Sequence, residues 1–382
     1  MNKTLLRMHA CIATLIYLEL CYSSLVGFLI MKIDVELKNV TKKFGDVVAV
    51  DDVSLWVGKG EFFSLLGPSG CGKTTMLRMI AGFEKPTGGE VYIGGELMTD
   101  VPPFKRPTNL VFQHLALFPH LNVYDNISFG LKMKKLPKDE IQRKVKKMLK
   151  LVRLLGYEKR KIKELSGGEQ QRIAIVRALV NEPTVLLLDE PLGPLDLKLR
   201  EEMVVELKRI QREVGTTFIY VTHDQGEALT MSDRIAVMKD GRVLQIGTPM
   251  KIYERPKSRF TADFIGRSNL FEGSYANGVV EVDGLGRIIV EPEPQVSDKR
   301  SVLICAKPEK ISIGRKLKGL DNIFAGEVKE TYYQGRVTTY RVLLQNDSLI
   351  TAVALSSGVK DIFRSGEKVK VGWNKRDANM II

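Results

Sequence analysis

The segment from Gly67 to Thr75 carries the residues with the clearest capacity for chemistry. It reads Gly-Pro-Ser-Gly-Cys-Gly-Lys-Thr-Thr and fits the phosphate-loop pattern of Gly, four residues, Gly-Lys and then Ser or Thr. Backbone N–H groups of such a loop point inward, and the helix that follows adds its positive dipole end. Lys73 is expected to reach the β- and γ-phosphates of a nucleotide, and Thr74 a Mg²⁺ ion. The alternative is an ordinary glycine-rich turn.

A second group of polar residues follows two apolar runs further along the chain. Asp189 and Glu190 end the run Val-Leu-Leu-Leu that starts at Val185, and His223 follows the predicted strand 217–222. Beside a phosphate loop, Asp189 is expected to hold Mg²⁺ through water, and Glu190 to take a proton from the attacking water. His223, at a strand's carboxyl end, is expected to contact phosphate. The alternatives are two solvated acids and a core histidine.

The elements that must position these residues can be read from apolar periodicity. A buried strand is predicted at 62–66, with a helical pattern from Met76 onward, and a strand–turn–strand lead-in at 33–37, 44–46 and 47–57. A long amphipathic helix is predicted at 197–214 and a short one at 225–231. After residue 266 the pattern changes to short β-type runs typical of a small barrel, at 279–282, 301–305, 324–333, 338–344, 349–355 and 368–372. We place the domain boundary near Arg267.

Composition and charge limit the classes of protein that fit. The chain has 382 residues and a net charge of +13, which favours two domains and an anionic partner such as nucleotide, lipid headgroups or nucleic acid. Between Lys132 and Lys163 lie fourteen Lys or Arg residues, with apolar residues at helical spacing among them. These cations form either a solvated face or one attracted to anionic headgroups. Four scattered cysteines indicate neither a disulfide framework nor a metal site and fit a reducing cytoplasm.

Residues 1–31 form a hydrophobic extension with three interpretations. The run from Cys11 to Ile30 is mostly apolar, as in a signal peptide or a membrane anchor, but Glu19 interrupts it. Export would separate the phosphate loop from cytoplasmic ATP. We favour a translation start at Met31, where the globular pattern begins, over an anchor that would leave the rest of the chain inside the cell.

Two further motifs convert the phosphate-loop prediction into a family resemblance. They are Leu-Ser-Gly-Gly-Glu-Gln-Gln-Arg, beginning at Leu165, and Thr-His-Asp, beginning at Thr222. With the phosphate loop and the Leu-Leu-Leu-Asp-Glu-Pro strand, in this order, they resemble the ATP-binding cassette of ABC transporters. The resemblance implies an α/β P-loop NTPase fold with a RecA-like core, a β lead-in and a helical subdomain, followed by an all-β accessory domain. The predicted parts of the chain are the hydrophobic extension 1–31, the ATP-binding domain 32–266 with its helical subdomain at about 120–180, and the β-rich accessory domain 267–382. The accessory domain resembles the TOBE or OB-like barrel of maltose and spermidine/putrescine importer ATPases.

The resemblance also implies roles for individual residues. Phe44 matches the aromatic residue that stacks on adenine, and Gln113 the glutamine that senses Mg²⁺ and the transport partner. Asp196 is expected to communicate across a dimer. The phosphates would be held by Ser69, Gly70, Cys71, Gly72, Lys73, Thr74 and Thr75, and the γ-phosphate of the opposite subunit's ATP by Ser166, Gly167 and Gly168. A helix is expected to begin at Glu169, after the two glycines, and to offer its N–H groups to that anion. The catalytic residues would be Glu190, His223, Lys73 and Gln113, and the Mg²⁺ ligands Thr74, Gln113 and Asp189.

Because the family places two ATP molecules between two cassettes, the single copy of each motif implies a homodimer. Its expected partners are integral membrane permease subunits and, indirectly, an extracytoplasmic substrate-binding protein, with the ATPase at the cytoplasmic face of the membrane. Three residues depart from the common family pattern: Glu169 stands in place of Gln, Pro194 in place of a small residue, and Gly226 in place of Glu. None of them is assigned to phosphate or water, so ATP hydrolysis is expected.

The transported substrate and the class of machine are separate questions. The runs starting at Glu190, Thr230 and Phe264 resemble spermidine/putrescine importer ATPases, whereas ferric iron, thiamine, sulfate and sugar importers remain alternatives. A nucleic-acid-associated ABC ATPase is a rival from another class, because the chain is basic and ends in a small barrel. Such ATPases insert long coiled coils, but only about ninety residues separate Lys73 from Ser166, without sustained heptads. No nucleic-acid partner is therefore expected. The C-terminal domain is predicted to be a regulatory module that binds a protein or a small ligand, and its residues do not indicate which.

Overall fold

The computed structural model of the chain describes residues 32–292, 300–356 and 362–382. The three interpretations of residues 1–31 lie outside these ranges. The chain divides into two compact units. The first contains the described residues up to His223 with 231–233 and 240–242, and the second contains 224–230, 234–239 and the described residues from 243 onward. The predicted boundary near Arg267 stays a prediction.

The first unit combines an antiparallel sheet, a parallel sheet and five helices. Its strands are β1 Ile33–Phe44, β2 Val47–Gly58, β3 Phe62–Leu66, β4 Gly88–Ile93, β5 Glu96–Leu97, β6 Thr108–Val111, β7 Val185–Asp189 and β8 Thr217–Thr222. Its helices are α1 Lys73–Ala81, α2 Val123–Met133, α3 Lys138–Leu151, α4 Gly167–Leu179 and α5 Leu197–Val214. The β lead-in forms the antiparallel order β2-β1-β4-β5, while β3, β8, β7 and β6 lie side by side and parallel.

The parallel strands are mostly apolar because both faces of the sheet are covered. Every residue of β3, β7 and β8 is buried. The ring of Phe62 lies 5.6 Å from that of Phe218 and 5.8 Å from that of Tyr220. The same core continues into α2, α3 and α4, which contribute Ile127, Val145 and other buried aliphatic side chains. The strands β3, β6, β7 and β8 therefore share one hydrophobic core with these helices.

The basic segment contains the helix that its periodicity predicts, although the helix is shorter than the pattern. Pro137 precedes the first residue of α3, but the helix ends at Leu151, and the chain turns at Arg153 with a φ of 60°. The apolar residues of α3 are buried and its Lys and Arg side chains lie on the other face. Among the described residues, no helix is long and apolar enough to cross a membrane.

The second unit is mainly β-sheet, and the predicted all-β C-terminal domain is confirmed. It begins with α6 Gln225–Met231 and the paired strands β9 Arg234–Lys239 and β10 Arg242–Gly247, followed by α7 Pro249–Glu254 and α8 Arg259–Phe264. The remaining strands form the orders β13-β12-β11-β14-β20 and β15-β19-β16-β17-β18. They are β11 Asn269–Ala276, β12 Val279–Val282, β13 Gly286–Ile289, β14 Arg300–Ala306, β15 Ser312–Gly314, β16 Asn322–Tyr333, β17 Val337–Leu344, β18 Leu349–Leu355, β19 Lys368–Trp373 and β20 Ala378–Ile381.

One buried lysine ties the C-terminal strands to the helix that precedes them. The ammonium group of Lys307 donates to the carbonyl oxygens of Ile265 and Gly266, just after α8, and to the Ser268 hydroxyl at 3.0 Å. It also lies 4.6 Å from the centroid of the Tyr253 ring. Burial lowers the pKa of Lys307. A cation at the end of a helix satisfies carbonyl groups that have no partner within the helix.

Candidate functional site

The predicted site residues meet because four parallel strands end at one edge of the sheet. In the strand register, Leu66 of β3 is paired with Thr222 of β8, Asp189 of β7 with Val221, and Val111 of β6 with Leu188. Four parts of the site therefore follow strands that end at the same edge of the sheet. They are the phosphate loop after β3, the segment of Gln113 after β6, Glu190 after β7 and His223 after β8. In open parallel sheets this is the edge where ligands bind.

The phosphate loop needs glycine for conformational and for steric reasons. Gly70 and Gly72 have φ angles of 81° and 101°, in the left-handed region. A Cβ atom on Gly72 would lie 2.3 Å from the carbonyl oxygen of Ala49 in β2, whereas one on Gly70 would meet nothing within 4 Å. The β lead-in thus presses on the loop at Gly72. Ser69 and Gly70 form the exposed part of the loop, and Thr75 lies in the first turn of α1.

Lys73 is buried beneath the phosphate loop. Only 4 % of its surface is exposed, and its Nζ donates to the carbonyl oxygens of Gly67 at 2.8 Å and Pro68 at 2.9 Å. The neighbouring Cys71 thiol is also buried, and burial raises its pKa. The ammonium group and the N-terminus of α1 together make this loop an electropositive cradle, which suits an anion such as phosphate.

Thr74 and Asp189 face each other across the site. The Thr74 hydroxyl donates to Asp189 Oδ1 at 2.9 Å. Asp189 is 8 % exposed, and burial raises the pKa of its carboxyl, while the hydrogen bond from Thr74 acts in the opposite direction. A hydroxyl and a carboxylate are hard oxygen donors of the type that Mg²⁺ prefers. These two residues therefore fit a magnesium ion shared with nucleotide phosphates.

Glu190 and His223 form a pair at the mouth of the sheet. The distance from His223 Nδ1 to Glu190 Oε2 is 3.2 Å. The Glu190 side chain is 21 % exposed and that of His223 56 %, so the pair lies at the boundary between protein and solvent. Glu190 has a left-handed φ of 44°, held in part by the hydrogen bond from its N–H to the Val221 carbonyl at 3.1 Å. Such strained positions occur at functional sites.

Gln113 lies beside the segment that follows Glu190. A Cβ atom on Gly193 would be 3.6 Å from Gln113 Nε2, so the amide reaches the turn after β7. The structure thus brings six of the predicted residues to one edge of the sheet. They are Lys73, Thr74, Gln113, Asp189, Glu190 and His223.

The signature motif begins a helix, but not where the sequence placed its start. We expected the helix to begin at Glu169, whereas α4 begins at Gly167 because Ser166 is its N-cap. The Ser166 hydroxyl accepts from the Glu169 N–H at 3.4 Å, and the Ser166 N–H donates to the Glu169 carboxylate at 2.8 Å. This capping box takes Glu as well as Gln at its third position, which accounts for the departure from the family pattern. The bond from the Ser166 N–H lowers the pKa of Glu169.

The remaining predicted residues lie apart from this cluster. Phe44 is 48 % exposed at the end of β1, with the Lys42 ammonium 4.7 Å from its ring centroid. Asp196 caps α5 by accepting from the Leu199 N–H at 3.0 Å. In residues 32–292, 300–356 and 362–382, no hydrogen bond or ion pair joins Phe44, Asp196 or Ser166 to the cluster.

Sequence reasoning missed two arginines that hold the site's elements in place. Arg106 is 6 % exposed and donates to the carbonyl oxygens of Met79 and Ile80, at the C-terminal end of α1. Arg177 of α4 donates to the two backbone carbonyls that lie two and three residues beyond Gln113. Neither arginine belongs to a phosphate-loop or strand-end pattern, so no sequence signal pointed to them.

Two family models match this chain. One, described as ABC transporter, matches residues 50–193. The other, described as TOBE domain, matches residues 304–381. The first therefore includes the phosphate loop and Glu190, and the second lies within the predicted β-rich accessory domain.

Curated relatives match nearly the whole chain. A protein of Rubrobacter xylanophilus named spermidine/putrescine import ATP-binding protein PotA is 52 % identical over 351 residues, which cover 90 % of this chain and 92 % of the relative. The protein of the same name from Acidothermus cellulolyticus is 50 % identical over 361 residues, or 91 % and 94 % of the two chains.

Solved structures show the same fold. CbiO1 of Clostridium perfringens, part of the ABC transporter complex cbiONQ, has a TM-score of 0.55 and 31 % identity and covers 58 % of this chain and 90 % of its own. The ATP-binding cassette MJ0796, in a dimeric post-hydrolysis state bound to ADP and Pi, has a TM-score of 0.50 and 38 % identity and covers 56 % and 98 %. The predicted α/β cassette fold is therefore confirmed.

Proposed function

The chain belongs to the ATP-binding proteins of ABC transporters, and from that premise we propose that it is the ATPase subunit of a polyamine importer. In this role it hydrolyses ATP to power uptake of spermidine or putrescine through a membrane permease. The names of the two curated relatives support the cargo. The polar residues of the site are arranged for phosphate and Mg²⁺, so the cargo assignment rests on those names.

The observation that carries the ATPase proposal is the Glu190–His223 pair, 3.2 Å apart beside the phosphate loop. A carboxylate within hydrogen-bonding distance of a histidine can accept a proton from water while the histidine holds its orientation. We assign Glu190 as the general base. His223 and Lys73 stabilise charge on the transferring phosphoryl group. Lys73 is already held beneath the phosphate loop by its hydrogen bond to the Gly67 carbonyl.

ATP and Mg²⁺ are the ligands that these residues fit. Mg²⁺ supplies neutralisation of phosphate charge when it is bound. The Thr74 hydroxyl and the Asp189 carboxylate, already 2.9 Å apart, are the oxygen donors that would hold it, with Gln113 as a further ligand. Phe44 is exposed and available to stack on the adenine ring. The loop from Ser69 to Thr75 binds the phosphates.

We further propose that the active form is a homodimer. Ser166 and Gly167 are exposed at the N-terminus of α4, where they are accessible to a nucleotide held by another subunit, and Asp196 would lie at the same interface. The dimeric cassette MJ0796 supports this arrangement. The dimer would bind permease subunits at the cytoplasmic face of the membrane and respond through them to a substrate-binding protein.

Replacement of Glu190 by Gln tests the catalytic assignment. The amide keeps the shape of the side chain but cannot accept the proton, so we expect hydrolysis to fall by about 10²- to 10⁴-fold while ATP affinity stays within about threefold. Steady-state phosphate release and calorimetric titration with ATP measure the two quantities. Glu202→Gln, an exposed position on α5, is the matched control. Turnover of Glu190→Gln equal to that of Glu202→Gln would refute the role of Glu190.

The cargo is tested with the assembled transporter. In proteoliposomes that contain this chain, its permease and a purified binding protein, polyamine-loaded binding protein should stimulate ATP hydrolysis and spermidine uptake. Stimulation by sugar-loaded or iron-loaded binding protein, with none by the polyamine-loaded one, would overturn the polyamine assignment and leave the ATPase assignment intact.

A further inference from the structure

The loop that follows Gln113 has an unusual backbone. Leu115 and Ala116, two successive residues with side chains, have φ angles of 58° and 47°. Left-handed conformations are uncommon for non-glycine residues, and two in succession persist only where surrounding structure imposes them. Local bonds from the Leu115 N–H to the Phe112 carbonyl and from the Ala116 N–H to the His114 carbonyl close the turn.

Arg177 on α4 holds the carbonyl groups of Leu115 and Ala116. One terminal nitrogen of its guanidinium donates to the Ala116 oxygen at 2.7 Å and the other to the Leu115 oxygen at 3.0 Å. The guanidinium also lies 5.4 Å from the centroid of the Phe118 ring. Among the described residues Arg177 has no carboxylate partner, and burial lowers its pKa. Its charge is therefore balanced by the loop itself.

The end of the loop is fixed from a different helix. Asn126 of α2 accepts from the Phe118 N–H at 2.9 Å and donates to the Phe118 carbonyl at 3.1 Å. The segment between Gln113 and Phe118 is thus clamped at its far end by α2 and in its middle by α4. Its other end carries the Gln113 amide that reaches the turn after Glu190.

Ser166 and Arg177 lie on the same helix. They are eleven positions apart, which is about 16 Å at the usual rise per residue of an α-helix. The segment between them packs its apolar face into the core. If the helix keeps its backbone hydrogen bonds, a displacement of its N-terminus would reach the Arg177 guanidinium and, through it, the loop.

We propose that Arg177 is a positioning residue that sets the conformation of the 113–118 loop and so links the N-terminus of α4 to the placement of the Gln113 amide. The inference rests on the proposed function, because it assigns Ser166 and Gln113 to the two nucleotides of the dimer. The forked guanidinium directs one separate donor at each of the two carbonyl oxygens. A lysine in its place would offer both oxygens a single ammonium group, so it would hold the loop less firmly than the planar fork does.

Arg177→Met tests the proposal in the full-length chain, with Arg212→Met, an exposed position on α5, as the control. Without nucleotide, hydrogen exchange at residues 114–118 should be at least about tenfold faster in Arg177→Met than in the control. With the permease, kcat should fall about tenfold or more while KM for ATP changes less than about threefold, because the phosphate loop is untouched. Arg177→Lys should restore part of the protection and less of kcat.

A double-mutant cycle separates positioning from general destabilisation. If Arg177 acts through Gln113, then Arg177→Met should lower kcat little further in a Gln113→Ala background. Additive losses, or unchanged exchange at residues 114–118, would overturn the proposal. A wild-type chain without ATPase activity in the assembled transporter would instead overturn the proposed function, and the exchange measurement would still decide whether Arg177 holds the loop.

Discussion

Arg106→Met should destabilise the nucleotide-binding unit through the end of helix α1. Four carbonyl oxygens accept from the guanidinium: those of Met79, Ile80 and Val101 at 2.8 to 2.9 Å, and that of Thr99 at 3.4 Å. Those of Met79 and Ile80 belong to the last turn of α1, where carbonyl groups have no partner within the helix. Methionine keeps the length and apolar character of the side chain but leaves all four oxygens without this donor.

The size of the stability loss in Arg106→Met follows from the three short hydrogen bonds, to Met79, Ile80 and Val101. A hydrogen bond from a charged donor contributes about 1.5 to 3 kcal/mol, but the contributions of one guanidinium are not additive, and burial of its charge offsets part of them. We expect a loss of about 3 kcal/mol. Arg242→Met is the matched control, because its guanidinium pairs with Asp51 at 2.6 Å in solvent, where it is 69 % exposed. Such a pair contributes about 0.5 kcal/mol.

Native-state hydrogen exchange is the assay, since the chain has two units and global unfolding would mix them. A loss of about 3 kcal/mol corresponds to exchange in α1 that is roughly a hundredfold faster. ATP affinity should fall as well, because the same helix carries Lys73 at its start. If the exchange of α1 in Arg106→Met matches that in Arg242→Met, then the helix end is stabilised by other contacts and the reasoning is wrong.

Two further predictions concern the ends of helices at the site. Gly72→Ala should weaken ATP binding by about a hundredfold or more, because its Cβ would lie 2.3 Å from the Ala49 oxygen at a φ of 101°. The Cβ of Gly70→Ala would meet nothing within 4 Å, so that variant should bind ATP more tightly than Gly72→Ala. Calorimetric titration with ATP measures both affinities, and the opposite order would contradict this. The pKa of Glu169 is lower in the folded chain than its ordinary value of 4.5. The ionised carboxylate therefore stabilises the fold fully at pH values above 4.5, and this stabilisation is lost as the pH falls through the lower pKa of the folded state. Protection of α4 amides should therefore decline below about pH 4.5 in the wild type and less so in Glu169→Gln, and equal declines would show that the bond to Ser166 contributes nothing.

The candidate site could be predicted from sequence because each of its parts is local. A phosphate loop, a strand that ends in two acids and a strand that ends in histidine are each recognisable within about ten residues. The parallel strand register then brings Thr74, Asp189, Glu190 and His223 to one edge without further information. The family resemblance added the residues that no local chemistry would identify, and the comparisons confirm the family.

The contacts that hold the site could not be predicted because they depend on tertiary packing. Arg106 reaches the end of α1 and Arg177 reaches the loop after Gln113 over separations of 26 or more residues, and any exposed arginine would look the same in the sequence. The requirement for Gly72 was visible as a glycine, but the Ala49 oxygen that imposes it lies in another sheet. The start of α4 was misplaced because two glycines suggested a loop, whereas the cap from Ser166 compensates for their low helix propensity.

Because the parallel strands share one direction, the nucleotide-binding unit has one sheet edge that carries the site residues and an opposite edge that carries the turns entering the strands. Every group assigned to phosphate or water on these strands leaves from their carboxyl ends, while the turns that enter them, at 182–184 before β7 and at 215–216 before β8, lie at the opposite ends. Changes of length or sequence in these entry turns are therefore expected to affect the exit geometry less than changes at the carboxyl ends. A fluorescent label or short epitope tag inserted there would report on the subunit during transport without entering the nucleotide site.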